Sequence, residues 1–314
     1  MTRTTRMQAI VQSVFGGPEV LVATETDVPE PGPGEVLVRV GGAGVNPGDA
    51  VLRSGRVPDL VALPWTPGND LAGTVERVGA GVTRFGPGDE VYGMLPLSPR
   101  GAYAEFTVAP ATALAPKPKN LDLAHAAAVP LVAITAWQAL SVLAQVRPGD
   151  RVLVHAAAGG VGHVAVQLGK ELGAYVIGTA RSAKHDWLRE LGADELVDYT
   201  TGDFRKTVEP VDVVLDLVGG AYGPRSLDVL KPGGLLVGAS IDPGTDEQAA
   251  ATRGLRYVWV TAEPDGRTLE PITERIETGR LRVAVERAYP LSEASEAHRA
   301  IEERRTTGKL VLVP

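Results

Sequence analysis

Two kinds of hydrophobic spacing divide the chain. Up to about residue 120, apolar residues come in short runs, Gln8–Val14, Glu35–Val40, Gly73–Val78, Glu90–Gly93 and Ala102–Val108, separated by turns such as Pro31-Gly-Pro-Gly34 and Phe85-Gly-Pro-Gly-Asp89. Runs of this length and punctuation predict the strands of a barrel or sandwich. From Leu121 to Gln145 the spacing turns helical and Ala/Leu-rich. Strand-type segments at 151–155, 174–179, 195–198, 211–217, 234–239 and 255–260 then intersperse with helix-type segments at 161–172, 183–191, 202–207, 222–230 and 265–278. That alternation predicts parallel strands joined by crossover helices. The tail reads as a strand from Arg282, a helix over Ser292–Arg305 and a last apolar strand at Lys309–Pro314, expected to return to the first domain. The expected architecture is α/β, with a β-domain from residues 1–124 and 283–314 and a doubly wound parallel-sheet domain over 125–282.

The most informative stretch is Arg151-Val-Leu-Val-His-Ala-Ala-Ala-Gly-Gly-Val-Gly162, in which an apolar strand enters a small-residue turn and a helical pattern follows. Strand, glycine turn and helix in that order is how an open α/β sheet binds a dinucleotide pyrophosphate. Glycine lets the backbone approach the phosphates, and the helix N-terminus offers free N–H groups with a partial positive charge. Ala157, Gly159, Gly160 and Val161 are the candidate contacts in the turn, and Thr179 is the candidate at the end of the second strand.

Composition narrows the class. The 314 residues suffice for two domains, and 44% hydrophobic with 22% charged is the balance of a soluble globular protein. A net charge of −7 argues against nucleic acid as a partner. The absence of cysteine excludes disulfides, thiolate catalysis and thiolate–metal sites. No apolar run of signal-peptide form follows Met1, and the small-apolar stretch Ala124–Val146 is too interrupted by polar residues and Pro130 to read as a membrane span. The expected location is the cytoplasm.

The second strand of the alternating region decides which dinucleotide is expected. NAD sites place an acid at its end to hold the ribose 2′-OH. Here Ala174–Thr179 is followed by Ala180-Arg-Ser-Ala-Lys184, with no carboxylate before Asp186. Arg181 and Lys184 have the charge to neutralise a 2′-phosphate and Ser182 a hydroxyl to donate to it, so NADPH is expected. The histidines, 125, 155, 163, 185 and 298, show neither i, i+4 pairing nor clustering, and each reads as a surface or packing residue.

A series of motifs runs in order along the chain: Gly44-Val-Asn-Pro-Gly-Asp49, Arg53-Ser-Gly55, Pro67-Gly-Asn-Asp-Leu-Ala-Gly73, Gly88-Asp-Glu-Val-Tyr-Gly93, Gly101-Ala-Tyr-Ala-Glu105, the 156–162 turn, Leu191-Gly-Ala-Asp194 and Gly308-Lys-Leu-Val311. The chain resembles the zinc-independent quinone oxidoreductase branch of the medium-chain dehydrogenase/reductase superfamily over nearly its whole length. The resemblance implies a GroES-like β-barrel domain built from both chain ends, a Rossmann domain between them, and cofactor and substrate meeting where the two face each other. Zinc-bearing relatives carry Gly-His-Glu where this chain has Gly68-Asn-Asp70, and a cysteine lobe about where Leu97–Gly101 sits, so no metal is expected. The tyrosines that many quinone reductases of the branch carry are replaced here by Val51 and Val57. Stacking on a flat quinone is weaker without them.

What the resemblance implies chemically is hydride transfer from NADPH to a quinone or another α,β-unsaturated carbonyl compound, the alternatives being an enoyl thioester or alkenal double bond, or, in a different class, an NADPH-binding sensor without turnover. Asn46 is the candidate donor to the oxygen that gathers charge, against its alternative as a turn residue before Pro47. Asp49 either orients Asn46 or Arg53 or caps the helix after Pro47; Tyr92 and Tyr103 are candidate proton donors or packing aromatics, and water is a further proton source. The same resemblance places Thr135 near the nicotinamide and Tyr199 near the adenosine, with Val218, Gly219 and Ser240 at strand ends that hold the cofactor. It also implies a homodimer paired along the edge at Leu255–Val260.

Overall fold

The computed structural model describes residues 5–314 and resolves two compact units, one reaching to Leu131 and resuming at Glu263–Pro314, the other Val132–Ala262. In the first, a seven-stranded sheet is organised around the strand Glu35–Val45. One edge of that strand pairs antiparallel with Asp70–Val78. Its other edge is shared, residues 35–39 pairing with Phe106–Pro110 and 43–45 with the C-terminal strand Lys309–Val313. The tail thus returns to the first unit. The apolar alternation of the central strand breaks at Gly41-Gly42, where a strand end was expected; the structure has register shifts between Leu37 and Val38 and between Val40 and Gly42, and the strand bends and continues to Val45. This continuation delivers Asn46 to the N-terminus of the helix Pro47–Ser54. Ile10, Val36, Val38, Leu71, Leu114, Leu310 and Leu312 form part of the core behind it.

The second unit holds a six-stranded parallel sheet in the order 195–197, 175–179, 151–154, 211–216, 230–238, 256–259. The first strand in sequence lies mid-sheet, between the second and the fourth, so the order reverses beside it. The carboxyl ends of Arg151–Val154 and Val211–Asp216 flank that reversal, the position where open α/β sheets bind ligands.

The boundaries fall later and earlier than the expected 124 and 282. The helix Gly266–Glu277, assigned from the pattern to the parallel-sheet domain, packs in the first unit. A Cβ at Gly266 would lie 2.0 Å from the Leu114 carbonyl oxygen, and the Tyr92 hydroxyl donates to Leu269 O at 3.2 Å. The helical stretch from Leu121 to Gln145 is not continuous: Leu123–Ala127 ends before Pro130 opens the helix Pro130–Trp137, which passes into a π-turn at Gln138–Leu143. Among the described residues no helix is long and apolar enough to cross a membrane.

Candidate functional site

The glycine turn is built on strain and close approach. Ala156 takes φ 50°, a left-handed conformation uncommon for a residue with a side chain. Its N–H donates to Thr179 Oγ1 at 3.2 Å and the N–H of Ala157 to Thr179 O at 3.0 Å, so the neighbouring strand pins the bend. Gly159 is the N-cap of the helix Gly160–Glu171, with Gly160 and Val161 in its first turn. Gly162 presses on the bend: a Cβ there would lie 2.3 Å from Ala156 O.

Beneath the turn, buried His155 completes a fully satisfied chain. Ser226 donates to Tyr222 O, so it accepts from His155 Nε2 at 3.0 Å, and His155 Nδ1 accepts from the Thr179 hydroxyl at 3.2 Å. The Thr179 hydroxyl therefore braces the turn and is spent within the protein. Similarly, the N–H groups of Val218 and Gly219 both donate to Asp216 Oδ1 at 2.9 Å. Gly219, at φ 72°, sits against Ser240 and Asp242, and Ser240 Oγ donates to Asp242 O at 3.3 Å. Val218, Gly219 and Ser240 are brought together, but through bonds that hold the loop to itself.

At the end of the second strand, Arg181 Nε donates to the Tyr199 hydroxyl at 3.1 Å. The terminal guanidinium nitrogens of Arg181 and the Lys184 ammonium make no hydrogen bond or ion pair among the described residues. Two cations with open donor capacity beside a tyrosine suit a phosphate. The sequence reading found no acid here, yet Asp198 comes in from the end of Glu195–Val197: its Oδ2 accepts the Ser182 N–H at 3.0 Å. Thr135, on Pro130–Trp137, is buried.

In the first unit Asn46 and Asp49 lie in a buried polar network. Asp70 Oδ2 accepts from Asn46 Nδ2 at 2.9 Å and from Lys309 Nζ at 3.3 Å. Asp70 Oδ1 accepts the Leu131 N–H at 2.7 Å, holding the start of Pro130–Trp137. Lys309 spends its other donors on Val45 O and Asn46 Oδ1. Asp70 and Lys309 are 0% and 2% exposed, so this is an ion pair inside the protein, not at its surface.

Asp49 caps Asn46 N–H and continues the network. Its Oδ2 also accepts from the Tyr103 hydroxyl at 3.1 Å, while Oδ1 is buried without a partner among the described residues. Burial pushes its carboxyl up to about 7. Arg53 can only donate, so Nδ1 of His298 accepts from it at 3.3 Å, and Nε2 carries the hydrogen toward Tyr103 at 3.3 Å. Arg53 closes the chain on Glu302 at 2.6 Å. Tyr92 is not part of this group. Its hydroxyl is occupied by Leu269 O and Thr273 Oγ1, and burial raises its pKa, so it packs Gly266–Glu277 against the sheet and is no longer a proton-donor candidate.

These burials predict a pH dependence. His155 and His298 are held down to about 3, mainly by burial and also by Arg225 and Arg53 respectively. Between pH ~4 and ~6.5 the unfolded chain binds protons at both histidines that the folded one refuses, whereas folded Asp49 holds one that the unfolded chain releases. The net is one proton in favour of unfolding. Stability should therefore fall on acidification through this window by about 1.4 kcal/mol per pH unit from these groups. Denaturant titrations at about pH 4.5, 5.5 and 6.5 check it, and the fall should steepen in Asp49→Asn and flatten in His298→Gln.

Sequence reasoning missed Asp70, Lys309, His298, His155 and Asp198 as parts of these sites. A signal existed for one of them: Lys309 opens an otherwise apolar strand, and a charge inside a core needs an opposite partner.

Comparison with known proteins agrees with this layout. Residues 32–119 match the alcohol dehydrogenase GroES-like domain family and 191–312 the zinc-binding dehydrogenase family. The chain is 36% identical to a 2-haloacrylate reductase from Burkholderia sp, across 95% of this chain and 96% of that protein. It is 38% identical to a quinone oxidoreductase of Pseudomonas aeruginosa, across 96% and 98%. The structure of the Escherichia coli quinone oxidoreductase complexed with NADPH superposes with a TM-score of 0.90 at 31% identity, covering 98% of this chain and all of that one.

Proposed function

This chain belongs to the medium-chain dehydrogenase/reductase superfamily as a quinone-oxidoreductase-like oxidoreductase, and we propose that it uses NADPH to reduce a quinone or another α,β-unsaturated carbonyl compound without a metal ion. The observation that carries the reading is the 156–162 turn at the sheet's reversal point, followed one strand over by Arg181 with its terminal nitrogens uncommitted. The turn's backbone and the start of Gly160–Glu171 hold the pyrophosphate, and Arg181, Lys184 and Tyr199 hold the 2′-phosphate. When bound, NADPH supplies a hydride from nicotinamide C4. The relatives named as a 2-haloacrylate reductase and a quinone oxidoreductase support an electron-poor conjugated acceptor.

The donor set does not suit zinc. The chain has no cysteine, and no group of three or more His, Asp or Glu among the described residues is placed to hold a metal. Asn69 gives its amide to Leu95 O at 3.0 Å. In place of a Lewis acid, the second N–H of Asn46 serves as donor to the acceptor oxygen. Lys309 on Asn46 Oδ1 polarises that amide and strengthens it as a donor. Asp49, titrating near neutrality, is the member of the network able to hold and release the matching proton.

Val51 and Val57, aliphatic and half-buried, favour a second reading in which the acceptor is an enoyl thioester or alkenal. Following NADPH loss with a benzoquinone, an enone, a 2-haloacrylate and an enoyl thioester separates the two, and inertness toward all of them defeats both. Arg181→Ala should weaken NADPH by about 1.5–3 kcal/mol and leave NADH nearly unchanged, as titration of nucleotide fluorescence measures; equal losses would remove Arg181 from the site. The strand Arg256–Trp259 is an edge of its sheet with Trp259 exposed, which supports a homodimer paired there. Light scattering reads its mass.

A further inference from the structure

We propose that Asp198 is a specificity-determining residue, a fixed negative charge at the 2′-phosphate subsite that limits how far the protein prefers NADPH over NADH. The inference rests on the NADPH reading above and goes beyond it, since the sequence shows only cations at this place.

Three rungs tie the loop after Tyr175–Thr179 to the one after Glu195–Val197. Ala180 N–H donates to Val197 O at 3.1 Å, Ser182 N–H to Asp198 Oδ2 at 3.0 Å, and Arg181 Nε to the Tyr199 hydroxyl at 3.1 Å. Asp198 is thus bonded to the residue next to Arg181 and is itself next to the residue that Arg181 holds. Its other oxygen, Oδ1, accepts from Thr200 N at 2.8 Å and Thr200 Oγ1 at 2.6 Å. Among the described residues every donor to this carboxylate is neutral, and no Arg or Lys forms an ion pair with it. These donors hold it ionised, well below the usual carboxylate range.

The consequence is electrostatic. A 2′-phosphate gripped by Arg181 and Lys184 brings about two negative charges within reach of a carboxylate that neither cation neutralises. The same carboxylate occupies the Ser182 N–H, which would otherwise be a backbone donor for the phosphate. Both effects act against NADPH and neither against NADH, which has no charge at that ribose. The site is therefore balanced: two cations draw the phosphate in, and one anion tempers the gain.

Nucleotide affinities of the full-length protein test this, measured by fluorescence titration with NADPH and NADH at low and high salt. Asp198→Asn should tighten NADPH by roughly 3–10-fold and shift NADH by no more than about twofold, with the gain shrinking at high salt as screening removes the repulsion. Thr200→Ala keeps the charge while loosening the same turn, and should leave the NADPH:NADH ratio within about twofold of the parent. An Asp198→Asn protein whose two affinities move in parallel, or whose NADPH binding weakens, overturns the proposal, as does a Thr200→Ala protein that reproduces the Asp198→Asn gain. If Asp198→Asn changes nothing while Arg181→Ala weakens NADPH alone, the inference fails and the cofactor reading stands. If the parent protein binds neither nucleotide, the reading fails and takes the inference with it.

Discussion

Lys309→Met should destabilise the first unit by about 3–5 kcal/mol, because it leaves the Asp70 carboxylate buried without its counter-charge. The loss would spread beyond the pair. Lys309 also holds Val45 O and Asn46 Oδ1, so the chain entering Pro47–Ser54 loses its anchor on the C-terminal strand. Adding Asp70→Asn to Lys309→Met should recover part of the loss. The double change removes the stranded charge yet keeps an oxygen for the Leu131 N–H. Urea denaturation of both single variants and the double reads the result. Strict additivity of the two single effects would mean that the pair is not coupled as its geometry indicates.

Gly162→Val should abolish nucleotide binding and cost on the order of 1–3 kcal/mol of stability or more. Even a Cβ at this position would meet Ala156 O at 2.3 Å and Ala157 Cα at 2.7 Å, and both are backbone atoms that cannot rotate away. The turn would have to open, and Ala156, already at φ 50°, has little conformational room left. Gly159→Ala is the matched control: its nearest contact is 3.3 Å, and it should retain binding within about tenfold. Calorimetric titration with NADPH, alongside thermal melts, separates lost binding from lost folding.

The legible and illegible parts of this protein differ in physical kind. Period-two runs, helical runs and their alternation reflect local burial, so the parallel sheet, the 156–162 turn and the returning C-terminal strand could be read from residue order. The helix Gly266–Glu277 was placed in the wrong unit because its pattern states only that one face is buried, not against what. The Gly41-Gly42 bulge looked like a strand end for a related reason: glycine marks an interruption without saying whether the ladder resumes. The side-chain networks were hidden more deeply. Asp198 stands 16 residues beyond Ser182, and Lys309 is 239 beyond Asp70, so even where a lone charge in an apolar strand asks for a partner, residue order does not say which one it meets. Thr179 stands at a strand end where a cofactor contact is expected, but its position could not show that its hydroxyl is consumed by His155 and Ala156.

The most direct test is to supply NADPH deuterated at nicotinamide C4, each face in turn, with a conjugated enone, and to locate the label by NMR. Transfer from one face only, with deuterium at the β-carbon of the enone, is the expected result. Label that stays on the nucleotide, with enone and quinone both returned unchanged, would contradict hydride delivery by this protein.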